Sequence, residues 1–263
     1  MRKYFSGRYY KCQSDTQTLA LISAVHNGKS SVQIICDEGA FFFDGDPNKS
    51  SFSDKGIRLC LDGAAGELRF GSQTPLKYDI MGPFKYVPFM QCRHGVYSMR
   101  HRVDGELTVN GASYKFDNAE GYTEGDSGYS FPKEYAWTQS FFDGGSLMLS
   151  VADIPFAGLR FTGIIGAVLL HGREYRLATY LGARLIKAAD GEIELRQSRY
   201  SFSAKLIERR AHPLSAPVGG DMVRTIHESV CCRAAYCFKK DSKTLLEFET
   251  DRASFEYEFG GKG

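Results

Sequence analysis

Apolar and polar residues alternate with a period of two in short runs along most of the chain, and clusters of Gly, Asn, Asp and Pro punctuate the runs. This pattern predicts strands that turn often. Arg8–Cys12 and Thr18–Ala24 read as strands joined by the polar turn Ser14–Gln17, and Lys29–Cys36 and Ala40–Phe43 continue the series. The polar segment Asp44–Lys55, which contains Pro47, is predicted as a loop. Ile57–Leu61 and Gly66–Phe70 pair across Asp62–Ala65. Pro75, Pro83 and Pro88 make Leu76–Met90 an edge segment or a long crossing loop, because proline cannot donate to a sheet ladder. Val96–Val103 and Glu106–Val109 are predicted to form a hairpin across Asp104-Gly105, and Gly111–Phe116 follows. Asp221–Ser229 is the helical candidate, after a loop at Pro217–Gly220.

The stretch Gly121–Phe142, GYTEGDSGYSFPKEYAWTQSFF, organises the rest. As a strand it places Phe131, Lys133, Tyr135, Trp137, Gln139 and Phe141 on one face. The other face carries Pro132, Glu134, Ala136, Thr138, Ser140 and Phe142. Alternating large and small side chains predict one buried face. Just upstream, Tyr122, Glu124 and Asp126 share a face of an extended segment, so two carboxylates lead into an aromatic wall. The plainer reading is an acidic turn before a core strand.

The grammar of the first half recurs in the second. Tyr10 and Leu19–Ser23 resemble Tyr135 and Leu147–Val151. Ile57–Leu59, Glu67-Leu68 and Pro75-Leu76 resemble Ile193–Leu195, Lys205-Leu206 and Pro213-Leu214. Asp117 and Glu124 match Asp251 and Glu258, all in collinear order at offsets of about 126 to 138 residues. The repetition implies an internal duplication into two β units, residues 1–118 and 119–263. Each has enough strands for a barrel-like sheet that closes its own edges.

Composition narrows the function classes. With 19 Phe, 15 Tyr and 28 Gly, the chain has the makings of an all-β protein. A net charge of +2 without a basic run gives no field for nucleic acid. Cys12, Cys36, Cys60, Cys92, Cys231, Cys232 and Cys237 are odd in number, scattered, and contain no CxxC, so buried free thiols are expected rather than disulfides or a structural zinc. The N-terminus lacks an apolar core, and the apolar run Phe161–Leu170 is about half a membrane span, so a cytoplasmic protein without a transmembrane segment is expected.

Candidate chemistry is sparse. On a regular strand Cys92 and His94 face one side and His101 the other, so no metal site is expected there without a bulge. His94 and Arg100 share a face and are placed to orient a ligand carbonyl or carboxylate. Asp153 stands in an apolar segment, paired with Arg160 or facing a cavity. No Walker loop, nucleophile elbow, HExxH helix or dinucleotide fingerprint occurs.

Tyr122-Thr-Glu124, Gly128, Phe131-Pro132, Trp137 and Gln139 resemble the signature of the tocopherol cyclase family, roughly YAEKNWGxxFPxxWxWxQ. Tyr9–Lys11, Leu19–Ile22, Val32–Ile34, Ala178–Gly182 and Cys232–Cys237 extend the resemblance over most of the chain, although only the central motif is specific. Two features depart from it: Gly125-Asp126-Ser127 replaces Lys-Asn-Trp, and Tyr135 replaces the first tryptophan after Phe-Pro. The resemblance implies an all-β fold of two consecutive lipocalin-like barrel or sandwich units. It also implies cyclisation of a prenylated hydroquinone or related prenyl lipid, in which a protonated double bond is captured by a hydroxyl. Glu124 is then the proton donor and Asp126 tunes it or relays the proton, in an apolar cavity lined by Tyr122, Tyr135, Trp137 and Gln139 with His94 or Arg100 at its mouth. Desolvation lifts a buried Glu from about 4.3 towards 6–7, and a second carboxylate lifts one of the pair further. No cofactor or metal is required. The alternative is a non-catalytic carrier of an apolar ligand, with a ligand-free interaction protein third.

Overall fold

A computed structural model describes residues 4–260, apart from positions 47, 89 and 157. The sequence-based readings of residues 1–3 and of Pro47 lie outside the described residues. The first sheet contains β1 (Phe5–Gln13), β2 (Thr18–His26), β3 (Lys29–Cys36), β4 (Gly39–Asp44), β5 (Ser50–Ser53), β6 (Gly56–Leu61), β7 (Ala64–Phe70), β8 (Cys92–Val109) and β9 (Ala112–Gly128). The second contains β10 (Tyr135–Phe142), β11 (Gly145–Phe156), β12 (Leu159–Leu170), β13 (Arg173–Ala178), β14 (Arg184–Ala189), β15 (Glu192–Gln197), β16 (Tyr200–Glu208), β17 (His212–Val218), β18 (Asp221–Lys240) and β19 (Lys243–Tyr257). The only helical turns among the described residues are of 3-10 type, at Gly82–Tyr86 and Thr179–Leu181. None is long and apolar enough to cross a membrane.

The duplication is visible in the strand order. The first sheet runs β4-β3-β2-β1-β9-β8-β7-β6-β5. The second runs β13-β12-β11-β10-β19-β18-β16-β15-β14, with β17 paired to β18 off this path. In each, the first strand closes on the last. Several of the sequence matches fall on equivalent strands: Tyr10 and Tyr135 on β1 and β10, Ile57 and Ile193 on β6 and β15, Asp117 and Asp251 on β9 and β19. Others do not, since Glu258, matched to Glu124 of β9, lies just past β19, and Pro75-Leu76 lies outside the strands whereas Pro213-Leu214 is in β17. The fold is therefore all-β, with two lipocalin-like units.

The first compact unit holds residues 1–77, 92–130 and 215–224, and the second holds 78–91, 131–214 and 225–263. The boundary expected at 118/119 falls inside β9. The first unit thus includes a hairpin from late in the chain. Gln33 grips it like a length of backbone: its Nε2 donates to the Ser215 carbonyl at 3.1 Å, and its Oε1 accepts from the Ser215 N–H at 2.9 Å.

Several local expectations change. Asp104-Gly105 is not a hairpin. β8 runs through it, with a register shift beside Gly105. A Cβ on Gly105 would lie 2.2 Å from the Glu67 carbonyl oxygen, so glycine serves the close approach of β7 rather than a turn. The chain reverses at Asn110-Gly111 instead, where both residues have positive φ, 47° and 87°, as a type I′ turn requires. The loop expected at Asp44–Lys55 contains β5, paired to β6. Asp221–Ser229 is the start of β18, consistent with its β-branched Val223, Thr225 and Ile226. Pro217 and Val218, expected in a loop, end β17. The strand expected from Phe131 begins at Tyr135.

The largest correction concerns burial. β10 is buried on both faces from Tyr135 to Phe141. Its small-residue face, with Ala136, belongs to the core of the second unit, alongside Leu149, Tyr236 and Phe255. The Thr138 hydroxyl on this face bonds the Tyr236 hydroxyl at 2.6 Å and the Ser254 carbonyl at 2.8 Å. Large aromatics reaching in from β18 and β19 leave room for only small side chains there. The first unit behaves alike. Tyr10 and Cys12 of β1 enter a core with Leu21, Ile34, Leu68 and Phe116, while Tyr9 and Lys11, on the opposite face, are also buried.

This packing has consequences for stability. His101 is 4% exposed, and burial holds its imidazole down at about 4. The unfolded chain, with His near 6.5, then binds the proton first. Stability should fall as pH drops from 6.5 towards 4, by up to about 3 kcal/mol from this group. Urea unfolding across that range should show the loss in the parent and a smaller one in His101→Gln. Gln33→Ala should lower stability by about 2 kcal/mol, because both Ser215 backbone groups lose their partner. An unchanged urea midpoint would contradict the grip.

Candidate functional site

β9 lies between β1 and β8, and its face opposite the core carries Tyr122, Glu124 and Asp126 in alternation. The ladder sets their neighbours. Glu124 stands opposite Tyr9 of β1 and Val96 of β8, and Asp126 stands opposite Gly7 and His94. Cross-strand partners share a face with Cβ atoms about 5 Å apart, so this register alone brings the histidine onto the acids.

The side chains form a continuous polar chain. Tyr122 donates its hydroxyl hydrogen to Glu124 Oε2 at 2.5 Å. His94 Nε2 lies 3.2 Å from the same oxygen, in ionic contact without an aligned hydrogen bond. His94 Nδ1 reaches Asp126 Oδ1 at 3.0 Å, and the Cys92 thiol donates to that oxygen at 3.4 Å. Side-chain exposure grades from 7% at Glu124 and 10% at His94 to 25% at Asp126, so the chain runs from the interior outward.

Electrostatics assign the proton. Burial alone would push the His94 imidazole down, but the charges of Glu124 and Asp126 and the hydrogen bond to Asp126 outweigh it and hold His94 well above its ordinary value. His94 is therefore an imidazolium between two carboxylates. Burial, reinforced by Glu124, drives the Tyr122 phenol well up, keeping it a neutral donor. Burial and Asp126 likewise raise Cys92, which stays a thiol.

The donor atoms of His94, Glu124 and Asp126 lie within 4.8 Å of one another, close enough to hold a metal ion. A neutral imidazole would offer a lone pair to such an ion, whereas a protonated one would not, so proton and metal would compete for His94.

The remaining expected residues lie as follows. Arg100, on β8, commits its guanidinium to Glu120 with two bonds of 2.6 Å. Asp153 pairs with Arg160, whose Nε donates at 2.6 Å. Tyr135, Trp137 and Gln139 belong to the second unit, on the face of β10 opposite its core. The structure thus brings Tyr122, His94, Glu124 and Asp126 together. Cys92, weighed in the sequence only as a metal ligand, completes the Asp126 end, and two glutamates that the sequence pattern did not single out are added. In the second unit the Tyr135 hydroxyl donates to Glu256, and Glu228, fully buried, stands opposite Glu256 in the ladder. In the sequence Glu228 falls within the helical candidate Asp221–Ser229, and Glu256 has no reading of its own; the repeat pairs Glu124 with Glu258, two residues past Glu256.

No protein-family model and no curated protein sequence matches the chain. Solved structures do. A kievitone hydratase from Nectria haematococca is 13% identical with a TM-score of 0.55. CghA in complex with Sch210972 is 8% identical with a TM-score of 0.62. Each alignment covers 97% of this chain and 88% of the other. At such identities the likeness establishes architecture alone. The chain has the tocopherol cyclase-like fold of these proteins, which is the level at which the sequence resemblance holds.

Proposed function

We propose that the first unit carries out proton-initiated addition of a hydroxyl group across a carbon–carbon double bond of an apolar ligand. The preferred substrate is a prenylated hydroquinone or related prenyl lipid, which would cyclise. The observation that carries this reading is the buried Glu124, held between the Tyr122 hydroxyl and the His94 imidazolium. Hydration, the activity in the name of the kievitone hydratase, shares the same first step and differs only in using water as the capturing group.

An ion pair is favoured where water or dipoles solvate it. An apolar ligand that expels water makes the neutral pair relatively better, and the proton moves from His94 Nε2 to Glu124 Oε2. Glu124 then protonates one alkene carbon. The ligand hydroxyl attacks the other, forming the C–O bond, and its proton returns to the Glu124–His94 pair, so no net proton is consumed. Asp126 holds Nδ1 and keeps the ring oriented throughout. The departure at Gly125-Asp126 fits this role. Asp126 anchors the histidine, and a Cβ on Gly125 would lie 2.6 Å from the Gly7 carbonyl oxygen.

Glu124→Gln should abolish turnover of a prenylated hydroquinone, a loss of at least about 10²–10⁴-fold, while ligand affinity stays near that of the parent. A fully active variant would clear Glu124 of the role. A parent that binds prenyl lipid without converting it would support the carrier reading.

Activity should fall as pH rises through the raised His94 value. Asp126→Asn removes a negative charge, lowers that value, and should move the alkaline limb to lower pH. Nitrogen-15 NMR of the His94 ring should show it protonated at pH 7 in the parent. A neutral ring there would contradict the assignment.

A further inference from the structure

The second sheet holds two cations that its own fold does not neutralise. Leu195, Phe202, Tyr236 and Phe238 turn into the core of the second unit, so the residues between them on β15, β16 and β18 face the other way. A groove of about 190 Å³ opens on that face, and its lining includes Glu194, Arg196, Ser201, Ser203, Cys237 and Lys239. The ladder arranges them in two rows. Arg196 stands opposite Ser201, and Ser201 opposite Lys239; in the next row Glu194 stands opposite Ser203, and Ser203 opposite Cys237. Cross-strand neighbours lie about 5 Å apart at Cβ, so two long cationic side chains flank one serine hydroxyl.

Neither Arg196 nor Lys239 forms an ion pair among the described residues, whereas Lys187, Arg199 and Arg233 of the same sheet and its turns are paired with Glu192, Asp241 and Glu249. Arg184 of β14 stands opposite Arg196 and extends the positive row. Like charges set side by side repel, and a bound anion removes that cost. The duplication shows that the scaffold itself does not require them. Counted from Ile57 and Ile193, the matching row of the first unit is Cys60, Ala65 and Thr108, in register and without a charged side chain.

We propose that this groove binds a phosphate monoester whose remainder is hydroxylated and uncharged. The phosphoryl group sits over Ser201, where its three terminal oxygens accept from the Arg196 fork, the Lys239 ammonium and the serine hydroxyl. A carboxylate brings only two oxygens to the same three donors. The second row selects the rest of the ligand. Glu194 and Ser203 lie about 7 Å along the strands, within reach of a three-carbon tail. The Glu194 carboxylate accepts from a hydroxyl there and repels a second anionic group. The groove lies wholly in the second unit and shares no residue with the acid centre of the first, so it does not rest on that chemistry.

Calorimetry at fixed ionic strength should show saturable binding of glycerol 3-phosphate, and acetate should bind at least about tenfold more weakly. The analogue 3-phosphoglycerate has the same length but ends in a carboxylate. It should bind at least about threefold more weakly than glycerol 3-phosphate despite its greater charge, and Glu194→Gln should erase the difference. Arg196→Gln and Lys239→Gln should each fold at least as stably as the parent in phosphate-free urea titrations and lose about tenfold in glycerol 3-phosphate affinity. Phosphatidylcholine vesicles doped with lysophosphatidic acid present the same group on a lipid. Co-sedimentation that glycerol 3-phosphate displaces assigns the groove to a headgroup; binding of the free ester without co-sedimentation assigns it to a soluble ligand. The proposal is overturned if glycerol 3-phosphate gives no saturable heat, if acetate or 3-phosphoglycerate binds as well, or if both cation variants keep the parent's affinity.

Discussion

The central strands of both sheets are buried on two faces, and the chemistry of the molecule depends on that constraint. A sheet with one wet face can carry any polar residue there at no cost. Once the second face is also removed from water, each polar group on it must be answered by another. On β1 and β9 the second face carries Tyr9, Lys11, Tyr122 and Glu124, all buried. On β10 it carries Tyr135, Trp137 and Gln139. The inner faces use ordinary apolar packing; the second faces hold hydroxyls, carboxylates, an imidazolium and an amide, each fixed by ladder register.

Duplication has reused this plan. In each sheet the last strand lies between the first strand and the long strand that precedes the last, and in each it presents a carboxylate that accepts from a tyrosine hydroxyl. Tyr122 serves Glu124 in the first unit, and Tyr135 serves Glu256 in the second. The third members differ: His94 of β8 faces Asp126, whereas Glu228 of β18 faces Glu256. A histidine can carry a mobile proton and a glutamate offers another acceptor, so the two units differ in the side chains that face their last strands.

The two histidines of β8 show how environment divides identical side chains. His94 meets two carboxylates and is held charged; His101 meets Ser98 and the Phe70 ring and is held neutral. Their effects on stability act in separate pH windows. Protonation of the unfolded chain penalises His101 below 6.5. The stabilisation from His94 is complete there and fades only as pH rises through its raised folded value.

The all-β class, the duplication and the acidic motif were legible in the sequence, because period two, turn residues and collinear repeats are local signals. Glu124 and Asp126 stood out because they share a strand, and alternation places residues two apart on one face whatever the partner strand is. What the local pattern could not decide was pairing. Asp104-Gly105 and Asn110-Gly111 are both good turn dipeptides, and only the approach of β7 to Gly105 selects the second. His94 joins Asp126, 32 positions further along the chain, because the β8–β9 register places them opposite one another. Glu228 and Glu256 gained their meaning only when a second face was buried. Burial of a strand's outward face is a property of what packs on it, and no period in the strand's own sequence encodes that.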